Sequence, residues 1–215
     1  MSTSIQSGLA EHHRVQAAHL FWQAFKGKLG AVMGPEPKAL SFVTQVLDPG
    51  HAISATDPGG NLLGIAGFKT AQGGFIGGGL GELAQVYGWF GALWRAPILS
   101  LLERELAADT LLMDGIFVDP KARGQGIGTQ LLGAIKAEAS ARGLAHVRLD
   151  VIDTNPRAQA LYEREGFVAG PVQRLGPLRH LFGFNAATTM TWTAIPPLKT
   201  GKALSGNGSR RAVTA

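Results

Sequence analysis

Cysteine is absent from this chain of 215 residues. Its absence excludes a disulfide framework, a zinc site built on thiolates and catalysis by a thiol nucleophile. It also fits a protein of the cytoplasm, where thiols stay reduced. No basic segment followed by an apolar run and a cleavage site is found near Met1, so we expect no signal peptide.

Acidic residues are missing from the C-terminal segment. Residues 196–215 are rich in glycine, serine and proline, and their four basic residues have no acidic counterpart. We expect a disordered basic tail, either solvated or in contact with an anionic partner. Without those four cations the net charge of +5 falls to +1, so residues 1–195 give no electrostatic reason to expect nucleic-acid binding. We expect residues 1–195 to form one domain.

A long apolar run without interruption is also lacking. The best candidate for a membrane span, Leu83 to Leu102, is long enough to cross a bilayer. Arg95 and Pro97 lie in its interior, however, and Gln85 lies near its start. Because a charge and a helix breaker are costly inside lipid, we expect no membrane span.

Hydrophobic periodicity predicts alternating helices and strands. Helical spacing covers residues 11–25, 39–47 and 126–142, and a further helix begins at Asn155-Pro156 and ends at Gly166. Strand patterns cover residues 51–56, 61–70, 111–118, 147–151, 167–172 and 187–194. The alternation predicts a single layered domain of the α/β class.

Three glycines alternate with other residues in the stretch RGQGIGTQLL, where a strand gives way to a helix. Free N–H groups at a helix start bind anions, and glycine lets a phosphate approach because no Cβ blocks it. A triphosphate-binding loop needs Gly-Lys-Ser/Thr, whereas Thr129 follows Gly128 directly. A dinucleotide fingerprint needs its third glycine one residue later and a tighter junction with the strand. Another phosphate-bearing ligand, or a tight strand–helix junction without a ligand, stays open.

Two blocks of this sequence resemble the GCN5-related N-acetyltransferase (GNAT) family. MDGIFVDPKARGQGIGTQLLGAIKAEA is similar to the family's central strand, pyrophosphate loop and helix, and DVIDTNPRAQALYEREGFV is similar to its second block. The resemblance covers about residues 111–168. It implies a single mixed, mostly antiparallel central sheet flanked by helices, and an acetyl-CoA-dependent N-acetyltransferase.

The resemblance also implies which residues hold acetyl-CoA. Main-chain groups of Ile116, Phe117 and Val118 would pair with the pantetheine arm as an added strand does. Asn155 is the expected cap of its helix on physical grounds, and by resemblance it also reaches the cofactor arm. The pyrophosphate would lie on the amides of Arg123, Gly124, Gln125, Gly126, Ile127, Gly128 and Thr129.

Acetyl transfer to an amine requires that the amine lose a proton and that the leaving thiolate gain one. Tyr162 matches the position of the family's frequent general acid, and a phenol with a pKa of about 10 is protonated at neutral pH. Its alternative role is that of a half-buried core residue. Asp114, on the central strand, is a candidate base that would act through water; the alternative is a hydrogen-bonded carboxylate without a chemical role. The histidines offer no convincing ligand set, so we expect no metal.

A compact GNAT protein has a short connection where residues 71–110 lie in this chain. We therefore expect a helical insertion between the third and fourth strands, with Leu83, Val86, Tyr87, Phe90 and Trp94 on one helical stripe and Pro97 starting or kinking a second helix. The insertion has three interpretations: extra core, a homodimer contact through its aromatic residues, or a lid over the acceptor. The lid would be lined by Tyr87, Trp89, Phe90 and Trp94.

Two other functions compete with the enzyme. A non-catalytic acyl-CoA-binding module, regulatory or for protein interaction, would use the same glycine loop. A dinucleotide oxidoreductase is disfavoured by the glycine spacing. For the enzyme, the acceptor is an amine whose class the sequence leaves open.

Overall fold

A computed structural model describes residues 2–101 and 106–194 of the chain. Its strands are β1 (Ser4–Ser7), β2 (Ala52–Thr56), β3 (Leu62–Thr70), β4 (Gly73–Gly74), β5 (Thr110–Val118), β6 (His146–Ile152), β7 (Val168–Arg174) and β8 (Ala186–Thr193). Its α-helices are α1 (Arg14–Met33), α2 (Glu36–Val46), α3 (Leu80–Ser100), α4 (Ile127–Ala141), α5 (Pro156–Arg164) and α6 (Arg179–Phe182). The tail expected at residues 196–215 lies outside the described residues.

The strands form one sheet in the order β1-β2-β3-β5-β6-β8-β7, and β4 pairs with the end of β3. The pairs are antiparallel except for β5 and β6, which run parallel. The predicted fold class, a single mixed and mostly antiparallel sheet flanked by helices, is confirmed. Within the described residues, none of the helices combines the length and the apolar character needed to cross a membrane.

Helices cover both faces of the sheet. On one face, called the α4 face here, the predicted stripe of α4 is buried with alternate residues of β6, among them Leu131, Ile135 and Val147. On the other face, called the α1 face, α1, α2 and α3 pack over a cluster that includes Phe21 and Phe117. The β5 strand therefore lies between two cores.

The central strand β5 contains a bulge at Asp114. Its register with β3 steps from Phe68↔Met113 to Gly67↔Gly115, so Asp114 has no counterpart on β3. A bulge bends its strand and increases the local twist. The bulge thus changes the direction of β5 at the residue that the sequence singles out as a candidate base.

Beyond this region β5 separates from β6. Their parallel pairing covers Thr110–Leu112 and His146–Arg148 and ends there, although both strands are described over their full length. The rest of β5 pairs with β3, and β6 pairs with β8. The main chain of β5 after Leu112 therefore borders a gap on its β6 side, called the β5–β6 gap below.

The helix α3 is interrupted at Gly88, whose φ of +73° and ψ of 164° are not helical. The sequence predicted that Pro97 starts or kinks a second helix, but Pro97 lies inside α3, and the break is at Gly88. Because the break rotates the second half of α3 relative to the first, the predicted stripe is divided. Tyr87 is buried, whereas Phe90 is 91% exposed and Trp94 44% exposed. The single-stripe prediction is therefore wrong after Gly88.

The guanidinium of Arg95 fastens α3 to the end of α1. It donates to the carbonyls of Val32 and Gly34 at 2.8 and 3.2 Å, and it lies 4.1 Å from the centre of the Tyr87 ring. The Tyr87 hydroxyl donates to the carbonyl of Met33. Carbonyls at a helix C-terminus lack partners within the helix, so these contacts satisfy them. Arg95, whose charge argued against a membrane span, therefore anchors α3 to the end of α1.

Gly67 of β3 is expected to be essential for packing on the α1 face. A Cβ at Gly67 would lie 2.4 Å from Cδ1 of Phe75, a fully buried ring. Because Phe75 has no room to move, Gly67→Ala should lower the free energy of unfolding by about 1–3 kcal/mol. Urea denaturation measures the change. As a control, Gly133→Ala on exposed α4 surface should raise stability by up to about 1 kcal/mol; equal stability of Gly67→Ala and wild type would contradict this packing.

Candidate functional site

The glycine loop between β5 and α4 is open on its outer side. Gly124 and Gly126 have φ values of +78° and +75°, which explains why glycine occupies both positions. Apart from the adjacent residues in the chain, no heavy atom of the described residues lies within 4 Å of where a Cβ would stand at either position. The backbone of this loop is therefore accessible to a ligand.

Helix α4 begins directly at this loop. Gly126 is its N-cap and offers no side chain to cap it, and the first amide bonded within the helix is that of Gln130, which donates to the Gly126 carbonyl at 3.1 Å. The preceding amides, including those of Ile127 and Gly128, lie at the positive end of the helix dipole. The Ile127 side chain is buried in the α4-face core and fixes this turn. A helix start with free amides of this kind is able to bind an anion, and it is called the anion site below.

The β5–β6 gap lies next to this anion site, because β5 leads into the glycine loop. Ile116, Phe117 and Val118 border the gap, with the Phe117 side chain buried on the α1 face. The Nε of Arg123 donates to the Val118 carbonyl at 3.3 Å, which ties the loop to the end of the strand. An extended ligand arm can pair with the strand edge while its anionic end lies on the loop.

The helix α5 contributes Asn155 and Tyr162. Asn155 caps the helix as expected, since its side chain accepts from the amide of Ala158 at 3.2 Å. Tyr162 is 8% exposed, and its ring centre lies 5.9 Å from that of Phe167. Burial raises the pKa of Tyr162 to about 12. The phenol therefore keeps its proton at neutral pH.

A cavity of about 440 Å³ lies on the α1 face. Leu112 and Asp114 of β5 and Lys69 of β3 line it from the sheet. Its other walls come from helices and from the loop before α3, and they are mostly apolar: Phe21, Phe25, Lys28, Leu29, Met33, Phe42, Val43, Ile76, Gly77, Gly78, Gly79, Leu80, Leu83, Ala96, Leu99 and Ser100. Its volume is that of a site for a small molecule.

The structure places the two predicted catalytic residues on different faces. Asp114 lies on the α1-face cavity, whereas Tyr162 belongs to the α4-face core. The β5–β6 gap and the bulge lie where β5 leaves its neighbour, between those two cores. A ligand arm that follows β5 along the gap would lead from the glycine loop towards Asp114.

Helix α3 contributes to the cavity, but with other residues than the lid interpretation named. Leu83 and Leu99 line the cavity, while Tyr87 packs against the end of α1. Trp89 and Phe90 point outward and are 65% and 91% exposed. The aromatic lid is therefore wrong in its residues, because Tyr87 packs against α1 and the break at Gly88 turns the aromatic residues that follow it outward.

Lys28 and Lys69 are functional candidates that sequence reasoning missed. Both line the cavity, and Lys28 Nζ lies 5.8 Å from the centre of the Phe25 ring. Lys69 stands in an ordinary strand pattern and Lys28 in a helix, so neither forms a motif. Within residues 2–101 and 106–194, no group of three histidine or carboxylate residues could hold a metal ion.

The model of the acetyltransferase (GNAT) family matches residues 16–167, more than half of the chain. The chain belongs to the GNAT family. The match contains the glycine loop, the bulged strand and α5. The family resemblance and the enzyme class predicted from the sequence, an N-acetyltransferase, are confirmed.

Three relatives of this GNAT chain match only part of it or share little sequence identity with it. A stretch of 56 residues is 38% identical to a thialysine N-epsilon-acetyltransferase of Bos taurus, but it covers 26% of this chain and 33% of that relative. A GCN5-related N-acetyltransferase from Kribbella flavida shares 14% identity over 89% of this chain and 98% of its own, with a TM-score of 0.59. An N-acetyltransferase from Staphylococcus aureus Mu50 shares 16% identity over 90% and 99%, with a TM-score of 0.58. The two structures share the fold.

The residue assignments within this GNAT site stay predictions. The same holds for the view of residues 71–110 as an insertion. The geometry adds an open glycine loop, a strand edge that β6 does not pair with, and a largely apolar cavity beside the bulged strand.

Proposed function

We propose that the protein transfers an acetyl group from acetyl-CoA to a primary amine by direct attack. One observation carries the proposal: the α1-face cavity at Asp114, the β5–β6 gap and the glycine loop at the start of α4 follow one another along β5 and the loop after it. The long, anionic cofactor and the amine would thus approach the same point from different sides. The assignment rests on this arrangement together with family membership.

The residues near α4 suit the two chemical parts of coenzyme A. Amides of Arg123–Thr129 would hold the pyrophosphate, because the open glycines let it approach the helix N-terminus. The strand edge at Ile116–Val118 would pair with the pantetheine amides. The capping Asn155 begins the helix that holds Tyr162.

Acetyl-CoA supplies the acetyl group as a thioester, so transfer forms an amide C–N bond, breaks the C–S bond and leaves free coenzyme A. The chain's own side chains move the protons. Asp114, through a water molecule, takes a proton from the acceptor's ammonium group. Tyr162, whose pKa is raised to about 12 by burial, holds the proton that the leaving sulfur requires.

A transfer assay separates the enzyme from a non-catalytic module. The purified chain is incubated with acetyl-CoA and a broad panel of amines, and free thiol and acetylated product are measured. The enzyme releases one coenzyme A for each acetylated amine. Binding of coenzyme A without transfer to any amine would instead favour the regulatory or interaction module.

Asp114→Asn is expected to lower kcat by about 10- to 1,000-fold, because it removes the base while keeping the shape of the bulge. The loss should shrink as the pH rises, since more of the acceptor amine is then neutral in solution. Rates measured between about pH 7 and 10 test both points. A rate equal to that of wild type at every pH would show that Asp114 is only a structural carboxylate.

The exposed aromatic face of α3 is proposed to form the contact of a homodimer. Trp89, Phe90, Leu93 and Trp94 are 44–91% exposed. Because each large aromatic ring buries about 150–250 Å², a symmetric pair of these faces would bury roughly 1,000 Å², the lower limit of a specific interface. Sedimentation velocity should find a dimer that Phe90→Glu dissociates and that Val15→Glu, on exposed α1 surface, leaves intact. A monomeric wild type would contradict the contact. The cytoplasmic location stays a prediction from the sequence.

A further inference from the structure

The α1-face cavity combines an apolar wall with an excess of positive charge. Among the described residues that line it, Lys28 and Lys69 are cationic and Asp114 is anionic. The remaining wall consists mainly of aliphatic and phenylalanine side chains. A second ammonium group on an acceptor would meet two lysines there, whereas an anionic group would meet a complementary charge.

Lys69 stands on the same face as the candidate base. It pairs with Leu112 across β3 and β5, and Asp114 is two positions further along β5 on the cavity side. Both side chains line the same cavity of about 440 Å³ from neighbouring strands. An amine at Asp114 and an anion at Lys69 would therefore lie within reach of one small molecule.

The position of Lys69 is set by β4. Lys69 pairs with Gly74, and a Cβ at Gly74 would lie 3.1 Å from Cγ of Lys69. The missing side chain thus leaves room for the stem of Lys69 beside β4. Strand β4, which begins the connection to α3, thus borders the Lys69 side chain where Lys69 lines the cavity.

We propose that the acceptor is a small primary amine with an apolar body and a carboxylate, and that Lys69 binds this carboxylate and determines specificity. The inference rests on the proposed acetyl transfer and deepens it. It excludes polyamines and other polycations as preferred acceptors.

Two acceptor series test this class. The first is 4-(aminomethyl)benzoate, its carboxamide and its para-aminomethyl analogue, which share a benzylamine. The second is L-phenylalanine and L-phenylalaninol. In at least one series the carboxylate should have a kcat/KM roughly 10- to 100-fold above its neutral counterpart, as expected for one charge-assisted hydrogen bond. The dicationic para-aminomethyl analogue should be the poorest of the first series.

Variants of Lys69 test the residue. Lys69→Met should bring the ratio of carboxylate to neutral acceptor close to one, mainly through KM, and Lys69→Glu should invert it. Lys26→Met, which removes the same charge from an exposed site paired with Glu36, should keep the wild-type ratio. Circular dichroism confirms folding of each variant.

The outcomes distinguish the two levels of the proposal. Transfer that favours neutral or dicationic acceptors, or a preference that survives both Lys69 variants, overturns the carboxylate inference and leaves the acetyl transfer standing. Transfer to no amine at all contradicts the proposed function itself.

Discussion

Replacing Tyr162 with phenylalanine is expected to lower kcat by about 100- to 10,000-fold, the range that a general acid contributes. The ring would keep its packing against Phe167, so the fold and the cofactor site should persist. Calorimetry should therefore find coenzyme A affinity within about threefold of wild type, since only a side chain beyond the pyrophosphate site is changed. Unchanged turnover in this variant would remove Tyr162 from the mechanism.

The pH dependence gives a control for this assignment. Because burial raises the pKa of Tyr162 to about 12, the phenol stays protonated in the folded protein at a pH where the unfolded chain, with a pKa of about 10, ionises. The ratio of wild-type to Tyr162→Phe turnover should be constant between about pH 6 and 10. The stability tied to the neutral phenol is present below about pH 10 and is lost as the pH rises towards 12, and the variant should lack this loss.

Gly128→Asp is expected to have opposite effects on stability and on cofactor binding. A Cβ at Gly128 would lie 3.5 Å from Cδ2 of Leu161, an ordinary contact, and an acidic residue in the first turn stabilises a helix by about 0.3–1 kcal/mol. The same carboxylate would face the pyrophosphate. We therefore expect coenzyme A affinity to fall by about 10- to 100-fold, because the like charges repel each other and solvent at this open loop screens part of the repulsion.

The matched control is Gly133→Asp, which adds the same charge to exposed surface further along α4. Its coenzyme A affinity should stay within about twofold of wild type. Calorimetry and urea denaturation of both variants provide the comparison. Equal affinity of a folded Gly128→Asp variant and wild type would place the anion elsewhere.

The open glycine loop and the helix start could be predicted from the sequence because their chemistry is local. Gly124, Gly126 and the start of α4 are contiguous, and backbone amides at a helix start bind anions whatever the rest of the fold does. Asn155 likewise caps its helix through a hydrogen bond spanning three residues. In both cases spacing alone determines the geometry.

The cavity could not be predicted, because its residues are far apart in the chain. Lys28, Lys69 and Asp114 come from a helix and two strands and meet only after the sheet has formed. The bulge at Asp114 also leaves no mark in the strand pattern of residues 110–118. Both the cavity and the bulge depend on contacts between segments that are far apart in the chain.

The error in the predicted helical stripe of α3 has a local cause. Helical periodicity assumes a constant rotation for each residue, and the positive φ of Gly88 interrupts it. Residues before the break, such as Tyr87, face inward as predicted, while Phe90 and Trp94 turn outward. The sequence predicted the irregularity at Pro97, but the helix is interrupted at Gly88 instead.

Amide hydrogen exchange with and without coenzyme A tests the central claim most directly, namely that this strand and loop hold the cofactor. The account predicts slower exchange at the open amides of residues 124–129 and along residues 116–118 when coenzyme A is bound. The exposed edge strand β7 should exchange at an unchanged rate. Binding of coenzyme A that leaves exchange at 116–118 and 124–129 unaltered would contradict the account.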